Sequence, residues 1–316
     1  MDELQNNSRR DFIKGVTGLA VVAGITGVPG LIEAKNEPVK VTILHTNDVH
    51  SHIDPFPENH PKFPGMGGVA RRSAIIKKIR NEQKNVLLFD AGDMFQGTPY
   101  YNMFGGELEL KLMSQMGYDA ATIGNHDFDN GVDSLSQQLI NARFPLINSN
   151  YDFEGTSMYG KSYPYKIFSR QGIRIGVMGL GIKLEGLVDK RNYGSTRYLD
   201  PVNSALKISS YLKEHKKCHL VVCLSHLGYD YNNDKISDTR LAQSSEHIDL
   251  IIGGHTHTFL DEPVKIKNKN GQDVLVTQAG WAGLRLGRID YHFERLTGKK
   301  VNEVSTIKEL NKSSEK

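Results

Sequence analysis

The chain has 316 residues, of which 38% are hydrophobic and 24% are charged, as is typical of globular proteins. This balance excludes wholesale disorder and fibrous repeats, and the length allows one large domain or two small ones. The formal net charge of +3 is too small to indicate nucleic acid or an anionic membrane surface as a partner. Two cysteines exclude a disulfide framework and a zinc site with four thiolates. The chain also has 12 histidines, and their positions decide whether they can form a common site.

The first 34 residues have the pattern of an export signal. Residues 8–14 (SRRDFIK) contain a pair of arginines, and a mildly apolar, glycine-rich stretch follows at 15–32. A twin arginine before such a stretch resembles a bacterial twin-arginine (Tat) signal. A retained membrane anchor or a cytoplasmic helix is the alternative, but the stretch is short and interrupted by glycines. We therefore expect the Tat machinery to export the chain to the periplasm or beyond the cell, with no stable membrane span after cleavage near Ala34.

Residues 35–310 alternate short apolar runs with helical patterns, which predicts one α/β domain. The runs are rich in Val, Ile and Leu and often continuous, as in strands that are buried on both faces. The candidate strands are 40–46, 85–90, 119–123, 144–148, 164–170, 173–180, 219–225 and 249–253. The candidate helices are 67–82, 105–116, 132–142, 202–215 and 238–246. Three more strands follow at 263–268, 273–279 and 284–293, and residues 311–316 form a polar tail that we expect to be disordered.

Local signals refine these boundaries. Gly117 is expected to end the second helix, and Asp200-Pro201 is expected to begin the fourth. Asn270-Gly271 predicts a hairpin turn. Cys218 and Cys223 are about 16 Å apart if the segment between them is extended, which is beyond the reach of a disulfide.

Five of the apolar runs are followed by polar residues of types that bind metals. The polar segments are NDVH at 47–50, DAGD at 90–93, GNHD at 124–127, SH at 225–226 and GGHTH at 253–257. Each segment by itself is common in turns and loop caps, so the prediction depends on their combination. Because ligands bind at the carboxyl ends of strands in α/β sheets, we expect the five segments to converge.

Seven side chains in these segments are candidate metal ligands. Asp, His and Asn donors suit zinc, manganese, iron, cobalt or nickel, and the sequence does not distinguish among these metals. One tetrahedral zinc site needs only four donors, so seven donors indicate two divalent ions that share a carboxylate, for which Asp93 is the candidate. His45, in the first strand, is a candidate outer partner of a ligand. The seven are Asp48, His50, Asp93, Asn125, His226, His255 and His257.

The order of these motifs resembles that of the calcineurin-like metallophosphoesterases, and more narrowly their 5′-nucleotidase branch. The segments ILHTNDVH at 43–50, DAGDMFQGTP at 90–99 and GNHDFD at 124–129 support the narrower likeness. The likeness extends over about residues 40–293 and implies a four-layer αββα sandwich. It also implies that one metal is held by Asp48, His50, Asp93 and His257, and the other by Asp93, Asn125, His226 and His255.

The resemblance further implies a reaction mechanism. A hydroxide that bridges the two metals attacks the phosphorus of a phosphomonoester, without a covalent enzyme intermediate. His126 contacts the phosphoryl group and the leaving oxygen, and Asp127 orients it as the second member of a catalytic dyad. Asn125 and His126 are expected to contact the substrate. Tyr100, shortly after Asp93, is a candidate wall of the substrate site.

Hydrolysis of 5′-nucleotides or related phosphomonoesters is the activity that the likeness favours. Full-length nucleotidases of this branch have a second domain whose aromatic residues clamp the base, and this sequence is expected to lack that domain. Either a separate nucleotide-binding polypeptide supplies the clamp, or the metal centre acts alone on small phosphoesters. Phosphodiesters, UDP-sugars and sulfur esters are alternative substrates within the superfamily. A non-catalytic binding module is less consistent with the sequence, because every ligand and the dyad are present.

Overall fold

A computed structural model describes residues 37–311 of the chain. The expected export signal at residues 1–34 lies outside the described residues, as does the expected tail beyond residue 311. Within residues 37–311, none of the helices has both the length and the apolar character that a membrane crossing requires.

Short strands and helices alternate along the described part of the chain. The strands are β1 (Val39–Thr46), β2 (Val86–Asp90), β3 (Ala120–Ala121), β4 (Tyr151–Asp152), β5 (Tyr165–Arg170), β6 (Ile173–Leu180), β7 (Arg197–Tyr198), β8 (Leu220–Ser225), β9 (Leu250–Gly253), β10 (Val264–Lys267), β11 (Asp273–Thr277), β12 (Arg285–Phe293) and β13 (Lys300–Glu309). The α-helices are α1 (Val69–Glu82), α2 (Pro99–Phe104), α3 (Glu107–Met116), α4 (Val132–Gln138), α5 (Lys190–Tyr193), α6 (Pro201–Ser210) and α7 (Asp238–Ser244).

Two β-sheets form the centre of the fold. The first has the strand order β13-β12-β1-β2-β3, and the second has the order β10-β11-β9-β8-β6-β5. Strands β1, β2 and β3 are parallel to one another, and so are β6, β8, β9 and β11. The outer strands of both sheets are antiparallel to their neighbours, apart from β3. The carboxyl ends of the parallel strands therefore carry the polar segments noted above.

The core has the layer order helix, sheet, sheet, helix. A cluster of buried residues between the sheets includes Leu87 of β2 and Val222 of β8. A second cluster fills the space between the first sheet and α1, α3 and α4, and a third fills that between the second sheet and α6 and α7. Successive residues of β2 alternate accordingly, with Leu87 and Phe89 in the cluster between the sheets and Leu88 in the outer cluster. The predicted four-layer αββα sandwich is confirmed.

Several predicted boundaries are also confirmed. Gly117 ends α3 in the left-handed conformation, with φ of 74°, which a residue without a Cβ adopts at little cost. The Asp200 side chain caps α6 by accepting a hydrogen bond from the backbone N–H of Asn203. Cys218 and Cys223 are both buried and free.

Some elements differ from the prediction. Residues 144–148 are wrong as a strand, since they make only isolated bridges, at Leu146 and Ile147. The predicted strand 119–123 is reduced to two residues, and helices 132–142 and 202–215 end in a 3₁₀ turn and a π turn. Helix α2, strand β13 and the small β4–β7 ladder were not predicted. Strand β13 is mostly exposed, because it lies at a sheet edge, and it lacks the continuous apolar run of a buried strand.

Candidate metal centre

The five polar segments meet at one end of the two sheets. The segment after β1 pairs with the segment after β2, because the backbone N–H of Asp48 donates to the carbonyl of Gly92 over 2.9 Å. The segment after β9 joins them, since the N–H of His255 donates to both carboxylate oxygens of Asp48 at 2.9 and 3.0 Å. The segment after β8 is held by His226, whose Nδ1 donates to the Ala91 carbonyl over 2.7 Å. Ligands from both sheets therefore face one another.

Asp48, His50 and His257 form the first group of candidate ligands. The Nε2 atoms of His50 and His257 are only 3.0 Å apart. The Asp48 Oδ1 atom lies 3.4 Å from Nε2 of His257 and 3.9 Å from Nε2 of His50. These atoms are close enough to share one cation.

Asp93, His226 and His255 form the second group. Oδ2 of Asp93 lies 3.0 Å from Nε2 of His226. Asn125 joins this group through its Oδ1, which is 2.8 Å from Nδ1 of His255. The structure thus brings all seven candidate ligands into two adjacent groups.

Asp93 lies between the two groups. Its Oδ2 atom is 3.0 Å from Nε2 of His226 in one group and 3.8 Å from Nε2 of His50 in the other. Its Oδ1 atom accepts the backbone N–H of His126 over 2.8 Å, which fixes the carboxylate with Oδ2 towards the ligands. Asp48 also approaches both groups, but both of its oxygens already accept the N–H of His255.

The protonation of the ring nitrogens shows that this donor set fits cations. Nδ1 of His50 lies 3.1 Å from the carbonyl oxygen of Phe95, which can only accept, so a neutral His50 ring presents a lone pair at Nε2. Nε2 of His226 is likewise buried, makes no hydrogen bond and faces Asp93. Acceptors that face each other at this distance need a positive charge between them. The two groups therefore fit two divalent metal ions.

The electrostatics of His226 support the same conclusion. Burial by itself lowers the pKa of this histidine, but the Asp93 and Asp48 carboxylates outweigh burial and raise its pKa to about 10. Asp48, Asp93 and His226 are almost completely shielded from solvent. The two carboxylates therefore strongly favour a positive charge beside Nε2 of His226, which a bound cation would supply while the ring stays neutral.

The backbone at the ligands is strained. Five of the seven candidate ligands have a left-handed backbone, a conformation that is uncommon for residues other than glycine. Such strain concentrates at functional sites, where the surrounding structure enforces it. The five are Asp48 (φ 49°), His50 (φ 49°), Asp93 (φ 56°), His255 (φ 71°) and His257 (φ 53°).

His126 lies beside the first group, at the exposed side of the centre. Its ring is 5.3 Å from that of His50, and its side chain is 39% exposed. Nδ1 of His126 lies 2.9 Å from Oδ2 of Asp129, and this hydrogen bond is the main cause that raises the pKa of His126. Nε2 is left as the ring nitrogen that can meet a substrate.

The proposed pairing of His126 with Asp127 is wrong in this structure. The Asp127 carboxylate is buried and accepts four backbone N–H groups instead, those of Asp93, Met94, Phe95 and Gly124. Asp127 therefore holds the turn that carries Asp93, and Asp129 orients His126. The motif GNHDFD contained both carboxylates, and the three-residue spacing between His126 and Asp129 was the signal that could have identified the partner.

The predicted roles of Tyr100 and His45 have different outcomes. Tyr100 donates its hydroxyl to Oδ2 of Asp54 over 2.6 Å, and its role as a substrate wall remains a prediction. His45 is not an outer partner of a ligand, because neither of its ring nitrogens makes a hydrogen bond. Burial lowers the pKa of His45 to about 4, so it is a neutral core residue packed against Gly287.

A model of the calcineurin-like phosphoesterase family matches residues 41–259, which contain all seven candidate ligands and His126. The chain belongs to the calcineurin-like phosphoesterase family. This membership explains why two groups of metal ligands lie at the ends of strands from both sheets.

Known members of the family are similar to most of this chain. The snake venom 5′-nucleotidase of Gloydius brevicauda is 33% identical over 276 residues, which are 81% of this chain and 45% of that protein. The 5′-nucleotidase of Rattus norvegicus is 32% identical over 276 residues, which are 81% of this chain and 46% of that protein. The crystal structure of the 5′-nucleotidase precursor from Thermus thermophilus superposes with a TM-score of 0.79 and 32% identity, over 87% of this chain and 55% of that one. The chain thus spans about half the length of these relatives.

Proposed function

We propose that the chain is a phosphohydrolase that uses two divalent metal ions to hydrolyse phosphomonoesters, with 5′-nucleotides as substrates. The observation that carries the proposal is the pair of ligand groups on either side of Asp93, with the half-exposed His126 beside them. Family membership and the similarity to 5′-nucleotidases support it.

The side chains divide into two overlapping ligand sets in this proposal. Asp93 belongs to both sets, because its Oδ2 faces both groups and accepts no backbone N–H. When bound, the two ions supply Lewis-acid activation of the phosphoryl group and of the attacking water. One ion would be held by Asp48, His50, Asp93 and His257, and the other by Asp93, Asn125, His226 and His255.

His126 acts on the phosphoryl group in this proposal. The hydrogen bond from Nδ1 to Asp129 fixes the ring and leaves Nε2 to donate a hydrogen bond to a phosphoryl oxygen or to the leaving oxygen. Asn192 steadies this arrangement from α5, since its side chain donates to the backbone carbonyl of Asp129 over 2.8 Å. His126 is thus a catalytic residue, and Asp129 is a positioning residue.

We also propose that the chain is exported through the Tat pathway, as the twin arginine at residues 9–10 suggests. The metal ligands come from both sheets, so the centre is complete only after the whole domain has folded. A pathway that transports folded proteins suits such a centre.

The test of the activity is a parallel assay of the full metal-loaded chain with AMP, UDP-glucose and an aryl phosphate. We expect turnover of AMP, its loss after chelation and its return when metal is restored. The His126→Asn variant should keep both metals, measured by elemental analysis, and should lose turnover. Turnover of UDP-glucose alone would instead indicate another ester class, and inactivity on all three substrates with both metals bound would contradict the proposal.

A further inference from the structure

Six aromatic rings form a continuous, partly exposed surface beside the metal centre. They come from the loop after β1 and from the loops after β9 and β11, and each is only partly covered by the rest of the chain. We call this set the aromatic surface. It consists of His52, Phe56, His60, Phe63, Phe259 and Trp281.

The aromatic surface begins directly at a metal ligand. The ring of Trp281 lies parallel to the ring of His257, with an angle of 5° between the planes and 5.6 Å between the centroids. The edges of His52 and Phe56 meet Trp281 at centroid distances of 5.3 and 6.0 Å. Trp281 therefore connects the candidate ligands to the rest of the surface.

The remaining rings extend this surface away from the centre. Phe63 is 5.6 Å from Phe56, stacks on His60 at 5.6 Å and reaches Phe259 at 6.3 Å. Phe259 is 39% exposed. A continuous surface of several aromatic rings is typical of a binding site. A ligand that covers such rings releases water from them, which makes binding more favourable.

The opening of the metal centre lies next to this surface. Among the candidate ligands, the Asp48 and His226 side chains are inaccessible, whereas that of His257 is 39% exposed. Trp281 therefore stacks on an exposed ligand. His126, on the other side of His50, is exposed to the same extent. A phosphoester that enters between His126 and His257 would carry its leaving group within reach of Trp281.

We propose that the aromatic surface binds the base of a nucleoside monophosphate by stacking while the phosphate lies at the metal centre. This inference rests on the proposed function, and it specifies the substrate class as phosphomonoesters whose leaving alcohol carries a flat aromatic base. Stacking recognises any nucleobase, because every base presents a π-face, so the surface selects nucleotides without selecting among them. The metallophosphoesterase domain would then supply a base contact of its own.

Trp281 permits a direct test of binding, because it is the only tryptophan in the 316-residue chain. Fluorescence excited at a wavelength that tryptophan absorbs and tyrosine does not therefore reports on the aromatic surface. We expect adenosine and AMP to quench this fluorescence to saturation, and ribose and ribose 5-phosphate to leave it unchanged. Saturable quenching by adenosine needs neither metal nor turnover. Its absence for both adenosine and AMP would overturn the proposal.

Substitutions test the contribution of the surface to catalysis. Phe56→Leu and Trp281→Leu should each lower kcat/KM for AMP by about tenfold or more, which is the size of one base–aromatic stacking contact. The loss with ribose 5-phosphate, which has the same phosphate without the base, should be much smaller, so the ratio of kcat/KM for AMP to kcat/KM for ribose 5-phosphate should fall. Tyr159→Leu, which removes a 70% exposed ring outside the surface, is the matched control and should leave both substrates unaffected.

The outcomes separate this inference from the proposed function. An equal loss with both substrates would mean that Phe56 and Trp281 only support His257, and would overturn the inference while the activity stands. Unchanged kinetics with AMP would overturn it as well. If the wild-type chain hydrolyses neither ester, the proposed function fails, and adenosine quenching alone then decides whether the surface binds a base.

Discussion

The two carboxylates that follow His126 have different surroundings because a 3₁₀ turn separates them. In such a turn residues three apart lie on the same side, so Asp129 meets the ring of His126. Asp127 is directed into the interior, where it accepts the backbone N–H groups of Asp93 and Met94. Burial, and then the nearby charge of Asp93, raise the pKa of Asp127 to about 7.

Substitution of the two carboxylates by the matching amide should separate these roles. Asp129→Asn should lower kcat by about tenfold to hundredfold, because a neutral amide holds the ring of His126 less firmly than the negative carboxylate does. The metal content of this variant should be unchanged. Asp127→Asn should instead lower the free energy of unfolding by about 2–4 kcal/mol, since an amide N–H then faces backbone N–H donors. Steady-state kinetics, elemental analysis and denaturant unfolding provide the measurements.

The comparison between these two variants is decisive. If Asp127→Asn reduced kcat at full stability and metal content while Asp129→Asn had no effect, the pairing of His126 with Asp129 would be refuted. Each variant serves as the control for the other, because the two positions differ by only two residues in the chain.

Residue types at the metal centre could be predicted from the sequence, but their backbone conformations could not. The motifs identify Asp48, His50 and His257 because each follows a strong apolar run at a spacing that suits ligands. The left-handed φ of these three residues follows from contacts between segments far apart in the chain, such as the bond from the N–H of His255 to Asp48. Local propensity carries no information about such contacts.

At the scale of the elements, the turns after the strands determine how closely the ligands approach. Gly124, after β3, is an example, because a Cβ at this position would lie 2.1 Å from Oδ1 of Asp93 and 2.5 Å from its backbone nitrogen. A change of side-chain rotamer could not relieve this overlap, because one of the two atoms belongs to the backbone. The turn therefore requires glycine for the close packing of two ligand segments.

Gly124→Ala should consequently disturb the metal centre. We expect the variant to bind less than two metals per chain and to lose turnover, because Asp93 must move away from its position between the two groups. Elemental analysis after gel filtration measures the loss. Gly160→Ala is the matched control, since a Cβ there meets no atom within 4 Å, although its φ of 74° makes a small decrease in stability expected. Full metal content in Gly124→Ala would contradict this account.

The strands could be predicted where burial on both faces produced an uninterrupted apolar run. Strands β6 and β8, both central in the second sheet, lie within the predicted ranges 173–180 and 219–225. The edge strand β13 was missed, because its alternating pattern reflects one partly covered face and occurs equally in loops. The short helix α2 was missed for a related reason, since six residues are too few for a helical period.

At the scale of the whole molecule, the metal centre connects the two sheets. Asp48 and Asp93 follow strands of the first sheet, and His226 and His255 follow strands of the second. Bound metal should therefore stabilise the packing of one sheet on the other, since only the folded domain brings these ligands together. The aromatic surface has the same dependence, because Phe56 and Trp281 meet only when the loops after β1 and β11 are in place.

Because the metal centre forms only in the folded domain, the route by which the chain is exported can be tested. If the chain folds and binds metal before export, its transport should depend on the twin arginine at residues 9–10. We expect the double substitution Arg9→Lys and Arg10→Lys to retain most of the protein in the cytoplasm of a bacterial host, as measured by cell fractionation and immunoblotting. Lys14→Arg, a conservative change within residues 8–14 that keeps the arginine pair, should leave the periplasmic share unaltered. Equal periplasmic amounts of the wild type and the double variant would contradict export through the Tat pathway.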